Sequence, residues 1–176
     1  MNLPNAITIV RLFVVPVVVW SIISGRPEVA FWLFLAAGIS DAVDGFIAKR
    51  FAMQSELGAY LDPIADKALL VSIYVTLAWA GLVPVWLAIA VVARDILIVG
   101  AVILSWMMSS PVTIQPLIIS KLNTAAQIAF AAVVLGVSGF DIEPGPGMQV
   151  GMLLVGVLTT VSALAYLFEW ARHVTK

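Results

Sequence analysis

Cysteine is absent from the chain and histidine occurs once, at His173. These two shortages exclude disulfides, thiolate metal sites and cysteine nucleophiles, and they argue against a zinc centre or a Ser-His-Asp triad. Charge is also scarce: Asp, Glu, Lys and Arg together make up 11% of the residues, and no basic run or patch offers a footing for nucleic acid. Apolar residues are abundant instead. They make up 62% of 176 residues, and the mean hydropathy is +1.11. A soluble domain of this size has no use for so much apolar surface, so residues 1–176 read as a single, all-α integral membrane domain. The net charge of -1 says little, because the placement of the charges carries the information.

Apolar segments of spanning length fall at 6–24, 30–49, 59–80, 84–106, 118–139 and 148–171, which predicts six transmembrane helices. The breaks carry turn chemistry: Ser24-Gly25-Arg26-Pro27, Gly81-Leu82-Val83-Pro84, Ser109-Ser110-Pro111, and Asp141 through Gly147. The first segment lacks a basic leader, is interrupted by Arg11 and is followed by no clear small-residue cleavage site. It is expected to be a retained helix rather than a signal peptide. With six spans both termini share a side. Lys49, Arg50, Lys121, Arg172 and Lys176 fall on that side, against Arg26, Glu28, Asp141 and Glu143 on the other. The excess of Lys and Arg predicts cytoplasmic termini.

Between residues 41 and 66 the chain reads DAVDGFIAKRFAMQSELGAYLDPIAD, with aspartate at 41, 44, 62 and 66. Ionised groups at membrane depth are costly and mark functional sites. Asp41, Gly45 and Ala48 are spaced to share one face of the second helix, with Asp44 about 60° away; Gly58, Asp62 and Asp66 form an i, i+4, i+8 row on the third. If those faces oppose each other, four carboxylates converge and need neutralising by protons, by Lys or Arg, or by divalent cations. Oxygen-only ligands favour magnesium, manganese or calcium over zinc. Two other readings exist. The aspartates could cap helices or pair with Lys49, Arg50 and Lys67. They could also line a proton or sodium path in a transporter, which would favour mid-membrane carboxylates on broken helices. Here they cluster near one membrane face, beside cations.

The same string resembles the signature of the CDP-alcohol phosphatidyltransferase family, D-x2-D-G-x2-A-R-x8-G-x3-D-x3-D. Asp41, Asp44, Gly45, Ala48, Gly58, Asp62 and Asp66 match with every spacing kept; Lys49 stands where the family has arginine, keeping the charge without the bidentate fork. The opening Asn2-Leu3-Pro4-Asn5-Ala6-Ile7-Thr8 is similar to the family's first-helix start. The resemblance implies that Asp41, Asp44, Asp62 and Asp66 bind two divalent cations, Mg2+ or Mn2+, and that Asp66 is also the general base. It implies that Gly45, Ala48, Lys49, Ser55 and Gly58 hold the CDP part of CDP-diacylglycerol, and that the protein is a homodimer. With the charge asymmetry it implies a bacterial inner-membrane protein whose site faces the cytoplasm.

The signature leaves the acceptor alcohol open. Arg94 and Asp95 lie inside the fourth segment, where neighbours in sequence point different ways and an ion pair between them is not the favoured reading. Lys121, Asn123, Thr124 and Gln127 lie near the start of the fifth, with Asn123 and Gln127 on one face. Arg94, Lys121 and Asn123 are the candidate acceptor-binding residues, and their cations suggest an acceptor carrying its own phosphate. The segment Ile119-Ser120-Lys121-Leu122-Asn123-Thr124-Ala125-Ala126-Gln127 is similar to the eukaryotic-type cardiolipin synthase branch of the family. That resemblance implies phosphatidylglycerol as acceptor. The alternative is glycerol 3-phosphate, as in the phosphatidylglycerophosphate synthase branch.

Overall fold

A computed structural model describes the backbone of residues 3–51, 56–107 and 118–174 and the side chains of residues 10, 12–40, 43, 67–101 and 118–172. Six helices account for nearly all the described residues: α1 Leu3–Ile23, α2 Pro27–Phe51, α3 Glu56–Trp79, α4 Val85–Met107, α5 Ile118–Gly139 and α6 Pro146–Val174. The expected segments coincide with them to within three residues at every end. Proline opens α2 and α6 and immediately precedes α4, positions where its missing N–H costs no intrahelical bond.

Three helices end in the same way, by a left-handed residue that lets two backbone amides fold back onto the last turn. Gly25 (φ 68°) closes α1 with Arg26 N–H donating to the Ser21 carbonyl at 2.9 Å; Gly81 (φ 73°) closes α3 with Leu82 N–H donating to Leu77 at 2.9 Å. Asp141, at φ 51°, takes the glycine's place after α5, with Ile142 N–H donating to Val137 at 2.9 Å. These three connections gather at one end of the bundle. Residues of the 81–82 turn and of the 141–144 connection line one cavity of about 490 Å³, and Gly139 brings α5 onto the backbone of Pro27 and Glu28. A Cβ at Gly139 would stand 2.7 Å from the Glu28 Cα. The exposed rings of Trp20, Trp32, Trp79 and Trp86 surround this end, as an interfacial belt would.

Helix α1 packs against α2 and α3, α4 against α3 and α6, and α5 against α2, α3 and α6. The core they enclose holds Val18, Phe34, Ile73, Leu77, Leu87 and Leu135. Gly151 and Gly156 on α6 accept the rings of Phe130 from α5 and Trp86 from α4, so their spacing of five serves two neighbours rather than one dimer seam. Large apolar side chains also cover the outer surface: Phe13, Ile39, Ile89, Val150 and Phe168 are all exposed. Such a surface suits lipid and not water. Among the described residues, Ile118–Gly139 and Pro146–Arg172 are long and apolar enough to cross a bilayer.

Candidate functional site

Asp41, Asp44, Gly45, Ala48 and Lys49 fall in the second half of α2, and Gly58, Asp62 and Asp66 in the first half of α3. Both segments therefore lie toward the end of the bundle opposite the three glycine- and aspartate-closed turns. Helices α2 and α3 share α1 and α5 as neighbours. Ser55 and the side chains of the aspartate segments lie outside the described residues, as does the expected convergence of the four carboxylates. The donor set fits hard divalent cations: four carboxylates, no cysteine and no nearby histidine. Among the described residues no group of three or more His, Cys, Asp or Glu could hold a metal.

Deeper in the bundle the structure assembles a buried polar layer from α4, α5 and α6. Arg94 is 5% exposed. Its Nη1 donates to Asp95 Oδ1 at 2.6 Å, and its Nη2 donates to Ser120 Oγ and, at 3.3 Å, to Ser162 Oγ. The expectation that adjacent residues would point apart is corrected here: the long guanidinium stem bends back, and Asp95 balances the charge that burial would otherwise leave bare. Lys67, next in sequence to Asp66 and half-buried, lies within the electrostatic reach of Asp95, which attracts it, and of Arg94, which repels it. Helix α3, which carries Asp62 and Asp66, packs against α4, which carries Arg94 and Asp95.

One turn away lies a second layer. Gln127 Nε2 donates to Thr159 Oγ1 at 3.0 Å, and Thr159 Oγ1 donates to Asn123 Oδ1 at 2.9 Å. The Tyr74 hydroxyl donates to the Gln127 backbone carbonyl at 3.0 Å. Asn123, Gln127 and Tyr74 are fully enclosed. Among the described residues three buried polar atoms have no partner: Arg94 Nε, Asn123 Nδ2 and Gln127 Oε1. Buried groups of this kind are rare and call for a ligand or water.

Of the acceptor candidates, the structure brings Arg94 and Asn123 into adjacent layers. Lys121 is exposed, on a different face of α5 from the buried Ser120 and Asn123. Sequence reading assigned nothing to α6. Its signal was present: Thr159, Ser162 and Tyr166 recur at i, i+3 and i+7 within an apolar helix, and all three are buried. Thr160, off that face, only bonds back to the Gly156 carbonyl within its own helix.

The family model described as CDP-alcohol phosphatidyltransferase matches residues 1–165. The probable cardiolipin synthase (CMP-forming) of Drosophila melanogaster is 33% identical over 99% of this chain and 59% of its own length. The cardiolipin synthase (CMP-forming) of Homo sapiens is 32% identical over 94% of this chain and 60% of its own. A probable phosphatidylglycerophosphate synthase of Mycobacterium tuberculosis is 31% identical over 93% of this chain and 80% of its own. The chain thus spans about three-fifths of the length of the first two relatives. With the family model covering residues 1–165, the chain belongs to the CDP-alcohol phosphatidyltransferase family.

Proposed function

We propose that the protein is a membrane-embedded cardiolipin synthase that transfers the phosphatidyl group of CDP-diacylglycerol to phosphatidylglycerol and releases CMP. In this reading all six helices cross the bilayer, both termini are cytoplasmic, and the aspartate ends of α2 and α3 open to the cytoplasm of a bacterial inner membrane. A second copy of the chain is the expected partner.

Asp41, Asp44, Asp62 and Asp66 would hold divalent cations, Mg2+ or Mn2+, which when bound offset the negative charge of the phosphoryl oxygens. Gly45, Ala48, Lys49, Ser55 and Gly58 would receive the CDP moiety, with Lys49 meeting phosphate as a point charge. The acceptor hydroxyl attacks the phosphorus bearing diacylglycerol. A new P–O bond forms as the bond to the CMP phosphate breaks. Asp66 takes the hydroxyl proton, and does so late, because an alcohol is a far weaker acid than a carboxylic acid.

The choice of acceptor rests on one observation, the charge balance of the buried layer. Arg94 is already paired with Asp95 at 2.6 Å, so the buried layer offers a guanidinium whose charge is largely offset, which suits the single negative charge of a phosphodiester. A phosphomonoester dianion would call for more buried positive charge, and Lys121 is exposed rather than part of that layer. The relatives named cardiolipin synthase support the same reading; the mycobacterial relative named phosphatidylglycerophosphate synthase keeps that branch of the family as the rival.

The test is an acceptor comparison with purified protein, labelled CDP-diacylglycerol and magnesium. Phosphatidylglycerol, glycerol 3-phosphate, serine and inositol are offered separately. Label is expected in cardiolipin with phosphatidylglycerol alone. Label in phosphatidylglycerophosphate alone would replace the acceptor and leave the family chemistry standing. Cation-driven transport into proteoliposomes without use of CDP-lipid would replace the reaction altogether.

A further inference from the structure

The hydroxyls of α6 have no role in the reaction described so far, yet they hold the two acceptor candidates that are buried. A threonine hydroxyl has one hydrogen to give. Thr159 Oγ1 receives the Gln127 amide N–H at 3.0 Å and passes its own hydrogen to Asn123 Oδ1 at 2.9 Å. The chain runs one way, so the two amides present opposite atoms to Thr159: the nitrogen of Gln127 and the oxygen of Asn123. The Asn123 oxygen is used, so its Nδ2 remains as a donor; the Gln127 nitrogen is used, so its Oε1 remains as an acceptor. Both of these atoms are buried without a partner. In the adjacent layer Ser162, three residues along α6, accepts from Arg94 Nη2, and the atom left over is a third unpartnered one, the donor Nε.

Two free donors and one free acceptor, all enclosed, complement a phosphate ester that also carries a hydroxyl. We propose that Thr159 and Ser162 are positioning residues of the acceptor site: Thr159 sets the Asn123 amide to meet an acceptor oxygen and the Gln127 amide to meet an acceptor hydroxyl, while Ser162 holds the Arg94 fork. This inference rests on the reading of Arg94 and Asn123 as acceptor-binding groups. It adds a third helix to the site, and it gives Gln127 a part in orienting the hydroxyl-bearing end of the acceptor.

The test uses the full chain in detergent or lipid, assayed with CDP-diacylglycerol against phosphatidylglycerol and, separately, against glycerol 3-phosphate, with Thr159→Val, Thr159→Ser and Ser162→Ala. Thr159→Val keeps the shape and removes both hydrogen bonds. It is expected to raise the KM for whichever acceptor the wild type uses by about tenfold or more, with the KM for CDP-diacylglycerol unchanged. Thr159→Ser, which keeps the hydroxyl, should restore the acceptor KM to near the wild-type value. Ser162→Ala should raise the acceptor KM less, by about two- to fivefold, because Ser120 still holds the same nitrogen. A purely packing role would lower the unfolding temperature of Thr159→Val and leave the acceptor KM in place, or would shift both KM values together. Either result overturns the inference, as does a failure of Thr159→Ser to rescue, and all leave the proposed reaction intact. If Thr159→Val does not fold, Ser162→Ala decides, with an unchanged acceptor KM counting against the proposal. A wild-type protein that transfers to neither acceptor removes the underlying functional reading, and the inference falls with it.

Discussion

Tyr74 of α3 donates its phenol hydrogen to the backbone carbonyl of Gln127 on α5, 3.0 Å away, and both residues are fully enclosed. The bond ties the helix carrying Asp62 and Asp66 to the helix carrying Asn123. It spans 53 residues of sequence and is buried. The Gln127 carbonyl lies within α5, so removal of the phenol leaves the helix's own bonding available to it. Tyr74→Phe is therefore expected to cost about 1 kcal/mol, read as a lower unfolding temperature in detergent with substrate KM values unchanged. A large loss of activity at full stability would show that Tyr74 does more than fasten helices.

The Arg94–Asp95 pair makes a sharper prediction. Asp95→Ala leaves a guanidinium buried with only hydroxyl partners and should destabilise the protein by about 3–5 kcal/mol. Arg94→Leu/Asp95→Leu removes both charges and should recover most of that loss while leaving transfer to the acceptor defective. Thermal unfolding and acceptor kinetics on both variants check this. A double variant less stable than Asp95→Ala would contradict the charge-balance account.

Close helix approach at the turn end predicts a contrast between two glycines. At Gly139 an added Cβ meets Glu28 backbone at 2.7 Å, and backbone cannot swing aside; at Gly100 nothing lies within 4 Å. Gly139→Ala should lower stability by about 1–3 kcal/mol, whereas Gly100→Ala should be neutral or slightly stabilising. Equal effects in unfolding measurements would show that α5 can move off α2 freely.

Asp66→Asn tests the proton acceptor while leaving an amide oxygen to face the cations. The amide keeps the size of the side chain but cannot take a proton. Transfer should fall to background while binding of CDP-diacylglycerol, measured directly, is largely retained. Normal turnover at saturating substrate, with only weaker binding, would remove Asp66 from the role of base.

The helices were legible because each apolar run is about 20 residues long and is bounded by Gly, Pro or Ser. The aspartate signature was legible as a string, since its spacing survives in one sequence. Two features were not. The Arg94–Asp95 pair was misjudged because helix geometry places adjacent Cβ atoms about 100° apart, and the reach of an arginine stem exceeds that separation. The part played by α6 was missed because Thr159 and Ser162 are common in membrane helices, where hydroxyls often bond their own backbone as Thr160 does. Only the three-dimensional placement of α4 and α5 shows that these two hydroxyls bond outward instead.

The most direct test of the central claim measures CMP release and cardiolipin formation together. Purified protein is given CDP-diacylglycerol and phosphatidylglycerol, first with magnesium, then after exhaustive chelation, then with magnesium or manganese restored. The account predicts CMP and cardiolipin in equal amounts, loss of both on chelation and recovery of both on adding the cation back. Cardiolipin formed at an undiminished rate after chelation, or CDP-diacylglycerol consumed without any cardiolipin, would contradict it.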